Sequence, residues 1–326
     1  MDTVLFLGVD AGGTKTRALL ADASGVVRGA GEAGAGNFQA IGATAAGEAV
    51  AAAVREALDE AGATGAGCVR GAFFGLAGVR TEAERAMMRA EITKLGLGGA
   101  AEIGSDLEAA HAGALAGGPG VVVIAGTGSA AWGRNEAGAS WQAGGWGWLV
   151  DDKGGGYWLA LQGLAAAVEG EDGRGAATTL GARAKAYFLG PEAADSAGLR
   201  EVLRELHAGK KDRAAVAGFA REVRAAADAG DAVAAGLVRA AGAELLRLAE
   251  AVRGKIAPDA ELPLAVTGGL GMGSVIAEAA RAAGFRPVTP WGEPALGAVL
   301  RAARAGGAEL DAAARVRLLE GWKPRL

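Results

Sequence analysis

The sequence predicts an α/β fold made of two like halves, and three observations carry that reading. Short apolar runs alternate with Ala-rich stretches of helical length, and Val4-Leu5-Phe6-Leu7 and Val121-Val122-Val123-Ile124 read as buried strands. Each of these runs ends in a glycine–threonine turn, Gly8-Val9-Asp10-Ala11-Gly12-Gly13-Thr14-Lys15-Thr16 in one and Ala125-Gly126-Thr127-Gly128-Ser129 in the other, and further strand-like segments follow each turn. Between the halves, Gly117-Gly118-Pro119-Gly120 breaks the chain. The expected plan is a duplicated βββαβαβα, with two domains facing one another across a cleft into which each first turn points.

In order, the first half reads as strands over 4–10, 14–22 and 26–33, a Gly-rich loop around Asn37, a helix over 42–61 and a strand over 68–76. Thr81 followed by Glu84 is a capping-box signature for a helix over 82–95. A short strand at 101–104 leads through Ser105-Asp106-Leu107-Glu108 into a helix ending near 116. The second half repeats three strands, over 121–124, 130–135 and 140–142, and is then mostly helical from about 156 to 254. A late strand, Pro263-Leu264-Ala265-Val266-Thr267, ends in Gly268-Gly269-Leu270-Gly271 before a helix over 274–283. Further helices are expected near 294–304 and 309–320. The expected domains are 1–117 and 118–307, the second with helical insertions, and a C-terminal helix over about 308–326 is expected to pack back on the first.

Composition excludes several function classes. In 326 residues, 51% are hydrophobic, which is ample for a core, and the net charge of −4 gives no electrostatic footprint for nucleic acid. No apolar run approaches the roughly 18 residues of a membrane-spanning helix, and Met1-Asp2-Thr3 has no basic leader, so a cytoplasmic protein with no membrane partner is expected. Cys68 is the one cysteine, which precludes an intrachain disulfide, and with only His111 and His207 far from it no metal-ligand set forms. Cys68 is expected to be a small core residue in a strand.

The first glycine turn joins strand to strand. A Rossmann or Walker loop must open a helix, and neither motif can be written over these residues. Gly12 and Gly13 let the backbone come close to a ligand, and successive N–H groups in such a turn form a concave anion site. Asp10, at the strand's end, suits a hydrated Mg²⁺ held through oxygen. A plain hairpin with a flexible turn remains the alternative for this stretch taken by itself. Lys15 is either a solvated rim charge or a phosphate ligand.

Taken together the motifs carry a family likeness. Asp10-x-Gly-Gly-Thr-Lys-Thr resembles the first phosphate motif of the sugar kinase/Hsp70/actin superfamily, Ala125-Gly126-Thr127-Gly128-Ser129 the second, and Thr267-Gly268-Gly269 the adenosine motif. Gly144-Gly145-Trp146-Gly147 with Asp152 and Tyr157-Trp158 is similar to the N-acetylglucosamine kinase group, also called the BadF/BadG ATPase family. The likeness spans residues 4 to about 300.

The resemblance implies two ribonuclease-H-like, actin-like ATPase domains using ATP and Mg²⁺ on a small-molecule sugar. It implies that Asp10 holds Mg²⁺ through water. Gly12, Gly13, Thr14 and Lys15 would meet the phosphates from one side, and Thr127 and Gly128 from the other. Gly268, Gly269 and Ala217 would border the adenosine. Asn37, Asp106, Gly145, Trp146, Gly147 and Asp152 would contact the sugar, with Asp106 as the catalytic base. A homodimer is also implied. Read from local pattern, Asp106 or Ser105 is alternatively a helix N-cap, and Asn37 alternatively a left-handed turn residue. Trp132, Trp141 and Trp158 are expected to be packing, and Trp146, flanked by glycines, to face a ligand.

The sequence departs from the family's pattern at Lys153, where an acid is common, at Gly155, where a hydroxyl is common, and at Ala77, where N-acetylglucosamine kinases often carry Ser. These changes leave the sugar's identity open. The leading expectation is a kinase of the 6-hydroxyl of an amino sugar, foremost N-acetylglucosamine, with glucosamine or a broad hexose range next. A BadF-type ATPase that is not a kinase, such as a dehydratase activator, would need a cysteine-ligated iron–sulfur cluster, for which Cys68 alone is poor material. A sugar-sensing repressor would need a DNA-binding helix pair, for which no room is expected before the first strand.

Overall fold

The computed structural model describes residues 4–192 and 198–322; residues 323–326 of the expected C-terminal helix lie outside the described residues. The chain forms two compact units, one of residues 1–119 with 290–326 and one of residues 120–289.

The first unit holds strands β1 (Leu5–Ala11), β2 (Thr16–Asp22), β3 (Val27–Ala33), β4 (Val69–Leu76) and β5 (Ala100–Ser105) in the order β3-β2-β1-β4-β5. β1–β2 and β2–β3 pair antiparallel, while β1–β4 and β4–β5 pair parallel. This is the ribonuclease-H-like arrangement expected from the family likeness. Burial explains its layers. Leu5, Leu7 and Val9 pack into one core with Val50, Val54 and Leu58 of the helix Ala43–Glu60, while Phe6, Leu19 and Phe73 pack into another with Leu296, Val299 and Leu300 of the helix Pro294–Ala305. Strand side chains alternate between faces with period two, so a strand covered by helices on both sides must be apolar throughout, as β1 is up to Val9.

The helix Pro294–Ala305 corrects the expected boundary at residue 307: it packs in the first unit. Its backbone lies directly on β1 at Gly8, where a Cβ would come within 2.4 Å of the Val299 nitrogen. It meets the helix Asp106–Ala114 as closely, since a Cβ on Gly297 would stand 2.1 Å from the Gly113 nitrogen. Small residues at both crossings permit that approach, and larger ones would force the helices apart.

In the second unit β6 (Gly120–Ala125), β7 (Ser129–Arg134), β8 (Ser140–Gly144), β9 (Leu262–Thr267) and β10 (Phe285–Val288) run in the order β10-β9-β6-β7-β8, the same order as in the first sheet. The edge strand β10 escapes the sequence pattern because it has four residues and contains Pro287, a residue tolerated in sheets mainly at edges. Between β8 and β9 the described residues are mostly helical from 156 on, and Leu159, Leu180, Phe188, Val223 and Leu245 of those helices, with Phe219 at the junction of two of them, are buried in the core of this sheet. Cys68 lies in a short 3₁₀ turn, Ala66–Cys68, just before β4; it is partly buried and its Sγ donates to the Gly65 carbonyl at 3.2 Å.

Candidate active site

In the first unit, Asp10 stands at the end of β1 and Asp106 at the start of the helix Asp106–Ala114, which follows β5. Burial pushes the Asp10 carboxyl up to about 7; the neighbouring Asp106 carboxylate adds to this, Arg17 pulls it back, and Glu293 adds a little more. The residue keeps some exposure even though its carboxyl is deeply set. Burial also raises Asp106, against the opposing pull of the Leu107 amide and Arg80. Two carboxyls of raised pKa, with the charge of Asp106 adding to the shift of Asp10, are an arrangement characteristic of functional sites.

The turn after Asp10 closes with the Gly12 N–H donating to the Lys15 carbonyl at 2.9 Å. Gly13 and Thr14 are exposed at its tip, and nothing lies within 4 Å of a Cβ built on Gly13. The Gly12 carbonyl in turn accepts from the Gly36 amide at 2.9 Å, which ties the Asn37 loop to this turn. Lys15 pairs with Glu32 at 3.2 Å and is 42% exposed, a rim position. Asn37 caps the short helix Phe38–Ile41: its φ is −74°, not left-handed, and its Oδ1 accepts from the Gln39 amide at 3.1 Å. Ser105, not Asp106, caps the helix Asp106–Ala114 in a capping box with Glu108, so Asp106 is not needed for that duty.

Two residues here escaped the sequence reading. Arg17 faces Asp10 across the β1–β2 ladder and donates to Glu293 at 2.9 Å and to Glu32 at 3.3 Å. Glu293 is the N-cap of the helix Pro294–Ala305. The hairpin register was a signal for Arg17, since a turn over residues 12–15 sets 10 opposite 17. No local signal marks Glu293 beyond the acid–proline start of a helix.

In the second unit, the Gly126–Gly128 turn is fixed by the start of the helix Gly156–Glu171, whose Gly156 and Tyr157 amides donate to the carbonyls of Gly126 and Thr127 at 2.8 and 2.9 Å. Asp152 is buried against this turn; a Cβ on Gly128 would fall 2.3 Å from its Oδ2. It holds a positive φ of 59°, a conformation an Asp tolerates but seldom adopts. Burial raises its carboxyl, partly offset by the Ser129 amide. The loop between carries Gly145 and Gly147 at positive φ and Trp146 at 78% exposure, while the Trp146 amide donates to Asp151 Oδ2 at 3.1 Å. Gly268 abuts the same region, since a Cβ there would lie 2.0 Å from the Ala125 carbonyl; Gly269 follows it, and buried Ala217 sits beside Gly156. Thr127, Gly128, Asp152, Ala217 and Gly268 are thus gathered around one turn. Of the other tryptophans, Trp132 is buried and Trp158 half-buried as expected, but Trp141 is 48% exposed with the Lys255 ammonium over its ring, a correction to its expected packing role.

The Asp10 neighbourhood fits a hard cation. Its donors are carboxylate oxygens beside a turn rich in N–H groups. Among the described residues no three His, Cys, Asp or Glu side chains form a chelating group. A Mg²⁺ bound through one carboxylate, waters and substrate phosphates needs no such group. No described helix is long and apolar enough to cross a membrane.

The family model for the BadF/BadG/BcrA/BcrD ATPase family matches residues 7–302. Over 107 residues, 33% of this chain and 35% of the relative, the sequence is 36% identical to an N-acetylmuramic acid/N-acetylglucosamine kinase of Clostridium acetobutylicum. Over 191 residues, 55% of this chain and 59% of the relative, it is 29% identical to an N-acetyl-D-glucosamine kinase of Dictyostelium discoideum. Neither match reaches two thirds of the relative's length. A solved structure from Chromobacterium violaceum, assigned as an N-acetylglucosamine kinase, superposes with a TM-score of 0.75 at 28% identity, covering 92% of this chain and 99% of that one.

Proposed function

Because the chain belongs to the BadF/BadG/BcrA/BcrD ATPase family, we propose that it is an ATP-dependent kinase of an amino sugar, N-acetylglucosamine foremost, acting on the 6-hydroxyl. The observation that carries this is the pairing of Asp10 with Asp106, two deeply set carboxyls with raised pKa beside a glycine turn whose tip is open. Relatives named for N-acetylglucosamine support the choice of sugar.

In this reading Asp106 accepts the proton of the sugar hydroxyl as its oxygen attacks the γ-phosphorus and the bond to ADP breaks. A carboxylate whose pKa burial has raised is a better base at neutral pH than an exposed one, and such help is worth roughly 10²–10⁴-fold. Phosphoryl transfer otherwise needs positioning and neutralised charge. Gly13, Thr14, Thr127 and Gly128 supply donors to phosphate oxygens, Gly12 closes the turn that presents the first two and lets its backbone come close to the phosphates, and Lys15 adds a positive rim. Gly268, Gly269 and Ala217 border the nucleoside. Asp10 would hold Mg²⁺ through water, and the ion would neutralise the β- and γ-phosphate oxygens. Asn37, Gly145, Trp146, Gly147 and Asp152 hold the sugar, with the Trp146 indole offering a flat face. A cytoplasmic homodimer completes the proposal, its dimeric state to be read by light scattering.

The test is ADP release over a panel of N-acetylglucosamine, N-acetylmuramic acid, glucosamine, glucose and no sugar. N-acetylglucosamine is expected to give the highest kcat/KM. ADP release that no sugar accelerates would favour an ATPase that is not a kinase and remove this reading.

A further inference from the structure

Glu108 lies two residues beyond Asp106 on the same helix, and its surroundings are unusual for a carboxylate. Its side chain is 11% exposed, and both oxygens are held from other elements. Oε1 accepts from Arg85 Nη2 at 2.9 Å and from the Ser105 amide at 3.1 Å, and Oε2 accepts from Arg301 Nη1 at 2.5 Å. Arg85 belongs to the helix Glu82–Thr93 and Arg301 to the helix Pro294–Ala305. Each guanidinium is itself fixed. Arg85 also donates to the Ile103 carbonyl, while Arg301 pairs with Glu102 at 2.5 Å and lies 4.2 Å over the Phe73 ring. Gly104 leaves room for the cluster, since a Cβ there would stand 3.0 Å from the Glu108 carboxyl carbon.

Burying a carboxylate with two arginines is a weak way to gain stability, because desolvation offsets most of the attraction. What it does supply is a fixed geometry. Burial by itself would push the Glu108 carboxyl up, but Arg301, Arg85 and the Ser105 amide outweigh it and keep the group ionised. The turn it fixes is the one that carries Asp106, whose Oδ1 accepts from the Leu107 amide at 3.0 Å. Three separated segments, at 85, 105–108 and 301, therefore converge on the first turn of that helix.

We propose that Glu108 is a positioning residue for the reaction: clamped by Arg85 and Arg301, it sets the direction in which Asp106 presents its carboxylate to the acceptor hydroxyl. This rests on the reading of Asp106 as the base. Displacing a reacting group by about 1 Å can cost 10²-fold in rate without weakening ground-state binding. Glu108→Gln keeps the shape and the bond from the Ser105 amide but removes the charge shared by the two guanidiniums.

The test uses the full chain with ATP, Mg²⁺ and N-acetylglucosamine, or whichever panel sugar is turned over, at a temperature where circular dichroism shows each variant folded. E108Q is expected to lower kcat about 10- to 100-fold while KM for ATP and sugar stays within about twofold. Arg85→Ala, a change at a more exposed partner, is expected to lower kcat about 3- to 10-fold with the same constancy of KM. The double variant should lose no more than E108Q alone, since Arg85 acts through Glu108. A folded E108Q with kcat within twofold of the unaltered chain overturns the proposal. So do losses in KM as large as those in kcat, or additive losses in the double variant. If E108Q does not fold, a wild-type kcat for R85A overturns it. Asp106→Asn is run alongside. An active D106N removes both the base and this proposal, whereas an inactive D106N beside an unimpaired E108Q removes the proposal alone.

Discussion

Arg17 stands directly across the β1–β2 ladder from Asp10 and reaches on to Glu293 at 2.9 Å. Facing residues on antiparallel strands point to the same side of a sheet, so the cation is built into the face that carries the carboxylate. Its charge opposes the burial that raises Asp10. Replacing it with an uncharged residue of similar length should let the Asp10 pKa climb further. If turnover requires ionised Asp10, the acid limb of the kcat/KM profile of Arg17→Met moves to higher pH, and kcat/KM at pH 7 falls about tenfold, equivalent to about 1.4 kcal/mol. A limb that stays in place would separate Arg17 from the ionisation of Asp10.

The raised Asp10 pKa also has a consequence for stability. In the unfolded chain this carboxyl titrates near 3.8, and in the folded chain near 7. Between those values the folded state holds a proton that the unfolded state has released, so stability falls as pH rises from about 4 to about 7 and is flat above. Asp10→Asn abolishes this titration. The Asn variant is expected to melt at least about 2 °C above the unaltered chain at pH 8, with the gap closing near pH 4, while its kinase turnover is lost. Thermal melts of both proteins across that range decide it. A gap that does not change with pH would mean that Asp10 ionises freely in the fold.

What was legible in the sequence was what local pattern encodes. The all-apolar run before Asp10 marks a strand covered on both faces, and repetition of the strand–glycine–threonine turn at 121–129 marks the duplication. The capping box at Thr81 was readable from hydroxyl-to-acid spacing and is formed, while at 105–106 the sequence left the cap open between Ser105 and Asp106 and the fold gives it to Ser105, boxed with Glu108. What could not be read depends on separation along the chain. Glu108 meets Arg301 from 193 residues away, and Arg17 meets Glu293 from 276 away. The helix Pro294–Ala305 follows the second sheet in sequence but packs on the first, through glycines whose purpose appears only once a backbone lies against them. Trp141 misled because an aromatic on a strand reads as core whichever face it takes.

Trp146 is 78% exposed between two glycines of positive φ, although its own amide is held by Asp151. The loop is therefore folded while the indole projects from it. Trp146 is followed by exposed Trp148, Leu149 and Val150, and a contiguous exposed apolar stretch marks a binding surface. Trp146→Ala is expected to raise KM for the sugar about tenfold with KM for ATP changed less than about twofold. Sugar titration should also perturb tryptophan fluorescence in the unaltered chain and lose most of that signal in Trp146→Phe. Equal effects on both substrates would argue for a structural role of the loop.

Asp231 tests the stability of the second unit away from the proposed chemistry. It caps the helix Ala232–Ile256, accepting from the amides of Val233 and Ala234 at 3.0 Å each. It also accepts from the Thr178 hydroxyl at 2.8 Å, the Thr179 amide at 2.7 Å and the Thr179 hydroxyl at 2.8 Å. Partial burial pushes its carboxyl up, but the Ala234 and Thr179 amides and the two hydroxyls outweigh that and hold it well below the usual carboxylate range. A carboxyl with a depressed folded value contributes stability above its unfolded pKa and loses it as pH falls toward the folded value. Asp231→Ala should therefore destabilise by about 1–2 kcal/mol at pH 7, the cost of a lost helix cap, and by less as pH drops below about 4. Asp231→Asn keeps the acceptor oxygen for the helix amides and should recover part of the loss at pH 7. Its remaining deficit measures what the charge itself contributes, and a deficit equal to that of the Ala variant would show that the cap bonds matter less than the ionised group's hold on Thr178 and Thr179.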